Sequence, residues 1–347
     1  MEYCIGVDAG GTATTAAVFG WETGALLGKG RSGFGNPLNG YDDAMRHIHE
    51  AVAAALAAMQ MVIESPHGSP DEAAEGSPDG STNGSKDGSA EGTSVCRHMF
   101  AGIAGASASG LRERLAADLA KQYGCPVTVD TDARLALEGA LKGGDGILLI
   151  AGTGSVAQGR RGGQLEMAGG WGNLVGDEGS GYDLVRRAVR LMTRDADEGM
   201  PERPLSRAVR AHFGAANPRE VIGYLHGHNK ADIAAASPVI EKVAIEGDPD
   251  AMRFLEEMGD ELARLVIVLA RRLALPPGFP LALQGSVVRK VAPVRERMLE
   301  AIQTAGLACS LLPPEDELTR GAWYYARALD QGGDTQTDRE NPMGPTS

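Results

Sequence analysis

Ile5-Gly6-Val7-Asp8-Ala9-Gly10-Gly11-Thr12 opens the chain with an apolar run that breaks, at an aspartate, into glycines and a hydroxyl residue. The pattern returns in mid-chain as Leu149-Ile150-Ala151-Gly152-Thr153-Gly154-Ser155. In both places a buried strand feeds a turn of bare backbone, and a second strand follows, over residues 14–20 and 155–161. Glycines allow close approach and positive φ. Successive N–H groups in such a turn can cradle an anion, and a carboxylate beside it, Asp8, can hold a cation such as Mg2+, directly or through water. Either unit alone is also readable as a tight hairpin turn. A strand–turn–strand unit used twice is what a duplicated domain gripping one ligand from two sides would show.

The flanking sequence alternates strands and helices, which indicates an α/β architecture. Strands are expected over 3–8, 14–20, 25–31, 96–104, 127–131, 146–151, 155–161, 281–284 and 308–312. Helices are expected over 42–63, 111–123, 133–141, 178–193, 291–305 and 319–329, with several more across 205–275, the longest over about 250–275. A chain of 347 residues with 43% hydrophobic content can bury two domain cores.

Composition narrows the function. The net charge is −13, and much of it is local. Residues 64–94 hold seven acids and one lysine among Gly, Ser and Pro, with no large aliphatic between Ile63 and Val95. Such a segment cannot offset its own ordering entropy, so a disordered insertion is expected there, and a similar tail over 331–347. The remaining acidic body lacks the basic footprint of a nucleic-acid or anionic-lipid binder. A phosphate ligand would therefore rest on backbone N–H groups and a metal rather than on a lysine cluster. No apolar run reaches the roughly 18 residues of a membrane span. Met1-Glu2-Tyr3-Cys4 does not read as a secretion signal. The four cysteines are scattered without a CxxC pair and read as reduced thiols, so a cytoplasmic location is expected.

Three further stretches carry chemistry. Gly152-Thr153-Gly154-Ser155-Val156-Ala157 has the spacing of a dinucleotide fingerprint, but a polar hairpin follows where that fingerprint needs a helix. No GxxxxGK[ST] phosphate loop occurs. Val129-Asp130-Thr131-Asp132-Ala133-Arg134 puts a carboxylate where a strand gives way to a helix. Asp132 there is either a helix N-cap or, at the carboxyl end of a strand where α/β ligand crevices open, a group able to accept the proton of a hydroxyl. Residues 169–182 pack six glycines into fourteen positions around Trp171 and Asp177. That density suggests a loop whose backbone approaches a ligand, although Asp177 or Ser180 could instead cap the next helix. His226-Gly227-His228 reads as a loop, since neither HExxH nor a Cys/His zinc spacing is present.

These motifs, in this order, resemble the BadF-type ATPases and amino-sugar kinases of the sugar kinase and actin superfamily. The most specific part is Gly170-Trp171-Gly172 with Gly176-Asp177-Glu178-Gly179-Ser180. The resemblance spans roughly residues 3–330 outside the insertion. It implies two actin-like (ribonuclease H-like) lobes, over 1–125 and 126–330, with ATP and sugar in a cleft between them that closes on the ligands. It implies ATP-dependent phosphorylation of the 6-hydroxyl of N-acetylglucosamine, with glucosamine or N-acetylmuramic acid as alternatives. By the same likeness Asp132 is the catalytic base, Asp8 the metal residue for Mg2+, and Gly10, Gly11, Thr12 and Gly152, Thr153, Gly154 the two phosphate turns. Asn36, the backbone of Gly170, Trp171 and Gly172, and the Asp177 carboxylate are the sugar contacts. Ser286 and Lys290 fall on the adenosine side. A second branch of the family activates redox partners through a cysteine-held iron–sulfur cluster. No cysteine here lies in a Gly-rich motif, which favours the kinase. The partner expected is a small-molecule sugar, and the oligomeric state is open, a homodimer being the commonest arrangement.

Overall fold

The structure, a computed structural model, describes residues 1–64 and 94–332. The insertion expected over 64–94 and the tail expected over 331–347 lie, but for their edges, outside the described residues. The chain divides into two units, one of Met1–Gly143 with the residues from Glu315 onward, the other of Gly144–Pro314.

The first unit begins with an antiparallel meander of β1 (Glu2–Ala9), β2 (Thr14–Gly20) and β3 (Leu26–Ser32). Helix α1 (Tyr41–Glu64), strand β4 (Val95–Ile103), helix α2 (Leu111–Tyr123), strand β5 (Val127–Asp130) and helix α3 (Asp132–Ala140) follow. β4 pairs parallel to β1 and β5 parallel to β4, giving the order β3-β2-β1-β4-β5. In α1 the buried residues Ala44, Ile48, Ala51, Val52, Ala55 and Met59 recur at three- and four-residue spacing, so one stripe faces the sheet. That stripe packs with Ile5, Val7, Val18, Met99 and Ile103 of the sheet and Leu115 and Leu119 of α2.

The second unit repeats the plan. β6 (Gly146–Ala151), β7 (Ser155–Arg161) and β8 (Gln164–Gly169) form the meander. Then come α4 (Gly181–Asp197), the short helices α5 (Pro204–His212), α6 (Pro218–Gly227), α7 (Lys230–Ala234) and α8 (Ser237–Ile245), and the long α9 (Pro249–Arg272). β9 (Phe279–Gln284), α10 (Ser286–Lys290), α11 (Ala292–Thr304) and β10 (Cys309–Leu311) complete it. The sheet order β8-β7-β6-β9-β10 matches that of the first unit, with the last two strands again parallel to the first. The duplication suggested by the two glycine turns is thus a duplication of whole sheets.

The chain then returns to the first unit as a 3-10 turn, Leu318–Arg320, and α12 (Gly321–Asp330). On the face of the first sheet away from α1, Ala322 and Tyr325 of α12 pack with Phe100 and with Leu135 of α3. Ala326 packs with Cys4, Phe19 and Trp21. β5 pairs with β4 and α3 packs on α12, so the first unit runs to Gly143, past the boundary at 125/126 expected from sequence. Also not expected from sequence were β8, none of whose residues is buried on its sheet edge, and the five-residue α10.

Candidate active site

In the first unit the sheet register brings the expected residues into line. Asp8 in β1 pairs with Gly102 in β4, and Gly102 pairs with Asp130 in β5. One residue beyond β5, the chain turns into α3 over Gly102. A Cβ at Gly102 would stand 2.7 Å from the Leu135 Cβ and 3.1 Å from the Asp132 Cα, so glycine is what allows the start of α3 to approach the sheet. Thr131, with extended φ and ψ, caps α3: its hydroxyl accepts from the Arg134 N–H at 3.1 Å. Asp132 is therefore the first helical residue and not the cap, and its Oδ1 accepts the Ala133 N–H at 2.9 Å. Asp130 is taken up by an ion pair with Arg112 at 3.0 Å.

Burial raises the pKa of the Asp132 carboxyl above the ordinary aspartate value, which makes it a better proton acceptor at neutral pH. Asp8 is pushed further, to about 6, first by burial and then by the negative charges of Asp132 and Glu317. Glu317 precedes the 3-10 turn that packs on β1. Its carboxylate accepts from Lys29 at 2.5 Å and from the Thr319 hydroxyl. Three acids thus converge near the carboxyl end of β1, two of them legible in the sequence. Glu317 was missed because nothing local marks it and its position depends on the chain's return to the first sheet.

The first glycine turn is open. The Gly10 N–H donates to the Ala13 carbonyl at 2.9 Å, and a side chain at Gly11 would meet nothing within 4 Å. Neither Gly10 nor Gly11 has positive φ, so these glycines leave space rather than permit an unusual backbone. Thr12 is exposed beside them. The Gly35 N–H donates to the Gly10 carbonyl at 2.9 Å, which places Asn36 next to this turn. Asn36 Oδ1 also accepts the Leu38 N–H at 2.9 Å, capping the 3-10 turn Pro37–Asn39.

In the second unit Ser155 is the hub. Its N–H donates to Asp177 Oδ1 at 3.0 Å, its hydroxyl to the Glu178 carbonyl at 2.6 Å, and its carbonyl accepts the Gly170 N–H at 3.0 Å. The Gly170–Gly172 loop and the Asp177 loop are both tied to the Gly152–Gly154 turn in this way. Asp177 is 3% exposed and has a positive φ of 62°, which only surrounding structure sustains for a non-glycine residue. Ser180, not Asp177, caps α4 by accepting the Asp183 N–H at 3.2 Å. Trp171 stands 63% exposed at the loop tip with Leu174 and Val175. Gly285, between β9 and α10, has φ of 93°, and a Cβ there would fall 2.2 Å from the Ala151 carbonyl. This contact sets Ser286 beside Gly152, whose Cα-side space is bounded by the Ser286 nitrogen at 3.8 Å. Lys290 is exposed at the far end of α10, about one helical turn beyond Ser286. Lys230, at the start of α7, was absent from the sequence reading. Asn229 signals that helix start, but nothing in the sequence shows that Lys230 reaches Asp177, 53 residues earlier.

Residues 5–310 match the BadF/BadG/BcrA/BcrD ATPase family, and the chain belongs to that family. It is 26% identical to an N-acetylmuramic acid/N-acetylglucosamine kinase of Clostridium acetobutylicum, over 76% of this chain and 77% of that protein. It is also 26% identical to a glucosamine kinase of Vibrio cholerae, over 84% of this chain and 87% of that protein. Its fold is that of a Chromobacterium violaceum structure described as a candidate N-acetylglucosamine kinase, with a TM-score of 0.66, 23% identity, and coverage of 94% of this chain and 99% of that one. The two-sheet α/β architecture is the actin-like sugar kinase fold.

Proposed function

We propose that this member of the BadF/BadG/BcrA/BcrD ATPase family transfers the γ-phosphoryl group of ATP to the 6-hydroxyl of N-acetylglucosamine. The observation that carries the reading is Asp132. It sits at the carboxyl end of a strand, is released from capping by Thr131, and is raised in basicity by burial. In the proposed reaction the sugar oxygen bonds to the γ-phosphorus as the bond to the bridging oxygen breaks and ADP leaves. The hydroxyl proton passes to an Asp132 oxygen, late if the transition state is loose.

Mg2+ fits the first unit. Burial, and then the charges of Asp132 and Glu317, disfavour the ionised Asp8 carboxylate, and a dication held by that carboxylate, water and the nucleotide would offset this cost. Asp8 would hold it, directly or through water, and it would neutralise phosphate charge. Gly11, Thr12, Thr153 and Gly154 would bind phosphate oxygens through their N–H groups, in turns that the Gly10 and Gly152 N–H groups close on the Ala13 and Gly154 carbonyls. Ser286 lies beside the second of these turns and would face the nucleotide, with Lys290 beyond it.

Asn36 and the Gly170–Gly172 backbone would hold the sugar. Asp177 belongs to the same set, because each carboxylate oxygen can accept a further hydrogen bond beyond those from Ser155 and Lys230. The matched relatives act on N-acetylglucosamine, N-acetylmuramic acid and glucosamine by name, which supports an amino sugar. Phosphorus–proton correlation NMR on the product tests the position of transfer. Coupling of the ester phosphorus to the two C6 protons is expected. Coupling to the anomeric proton would overturn the assignment.

A further inference from the structure

The second glycine turn carries a cation that the proposed function does not use. Lys230 Nζ lies 2.5 Å from Asp177 Oδ2, while Asp177 Oδ1 holds the Ser155 N–H. A Cβ at Gly154 would stand 2.4 Å from Lys230 Nζ and 2.7 Å from Asp177 Oδ1. The ammonium therefore occupies the space that a side chain on the turn would fill, and lies directly on the turn's backbone. An ammonium has three donors, and among the described residues Asp177 is the hydrogen-bond partner of Lys230. The lysine side chain is 29% exposed, whereas Asp177 is buried. Without Lys230, the buried carboxylate would face any phosphate held by Gly152–Gly154 and repel it.

We propose that Lys230 is a phosphate-binding residue of the second turn, its ammonium held by Asp177 and its remaining N–H donors directed to the nucleotide's phosphates. The inference rests on the ATP-dependent reading above and deepens it. It also amends the expectation that phosphate would be held by backbone and metal alone. Asp177 then has a positioning role, linking the ammonium to the Ser155 N–H and, through Ser155, to the Gly170–Gly172 loop.

Calorimetric titration with a non-hydrolysable ATP analogue, with ADP and with adenosine, each with Mg2+, tests this on the wild type, Lys230→Met, Lys230→Arg and Lys230→Met with Asp177→Asn. A lost charge-assisted hydrogen bond predicts about tenfold weaker binding of the analogue to Lys230→Met. Adenosine affinity should be unchanged, and Lys230→Arg should recover most of the loss. The double variant removes the buried unpaired carboxylate, so it stays informative if the single variant does not fold, and it should show the same selective loss for phosphate-bearing ligands. Unchanged analogue affinity in a folded variant, or an equal loss for adenosine, would overturn the proposal. Absence of any nucleotide binding by the wild type would instead overturn the underlying ATP-dependent reading.

Discussion

Two neighbouring residues at the start of α3 divide the labour that sequence alone left undecided between them. Thr131 caps the helix, and Asp132, which does not, is the proposed base. Asp132→Asn should therefore lower kcat on the order of 10²–10⁴-fold while the melting temperature stays unchanged, as read by steady-state kinetics and thermal unfolding on the same sample. Wild-type kcat in the folded variant would remove Asp132 from the mechanism. Asp8 gives a pH prediction. Its folded pKa of about 6 lies above the ordinary 3.8, so the folded state binds the proton more tightly than the unfolded chain. Stability is then lost as pH rises from about 4 through 6, and the loss persists above that. In EDTA, Asp8→Asn should gain in melting temperature over the wild type, by roughly 2–4 °C more at pH 8 than at pH 5. A pH-independent difference would show that Asp8 is not destabilised by its charge. At this scale the acids in strand-end motifs were legible, because strand, glycine and carboxylate are adjacent in sequence. Lys230 and Glu317 were not, because each meets its partners through contacts made across the fold.

At the scale of elements, α1, α2, β6 and β7 were located nearly to the residue, because each buries one continuous face or run. β8 escaped because an edge strand that mixes Gln164 and Glu166 with Leu165 and Met167 and buries none of them has no apolar run to announce it. α10 escaped because five residues are too few to show a period. The cap on α3 allows a complementary test. Thr131→Ala removes the hydroxyl that accepts the Arg134 N–H and should cost about 1 kcal/mol of stability, measurable by denaturant unfolding. Its kcat should stay within a few-fold of wild type. The two variants should thus dissociate, Thr131→Ala in stability and Asp132→Asn in rate. A large rate loss in Thr131→Ala would mean that the cap also orients the base.

For the whole molecule, two short motifs revealed a repeat that proved to be two sheets of identical strand order. The unit boundary was misplaced because a strand's partner cannot be read from its own residues: β5 joins the first sheet, and the C-terminal helix returns to it. The insertion is judged by composition alone. Replacing residues 66–93 by a short Gly-Ser linker should leave the melting temperature within a few degrees and kcat nearly unchanged, since loop-closure entropy varies slowly with length. A large loss of stability would make the segment structural.

Phosphorylation of an amino sugar with ATP is read directly as sugar-dependent ADP release by the purified full chain across N-acetylglucosamine, glucosamine, N-acetylmuramic acid and glucose. Release stimulated by N-acetylglucosamine is expected, with kcat/KM at least about tenfold above that for glucose, a gap of roughly 1.4 kcal/mol. ADP release that no amino sugar raises above the sugar-free rate would contradict it.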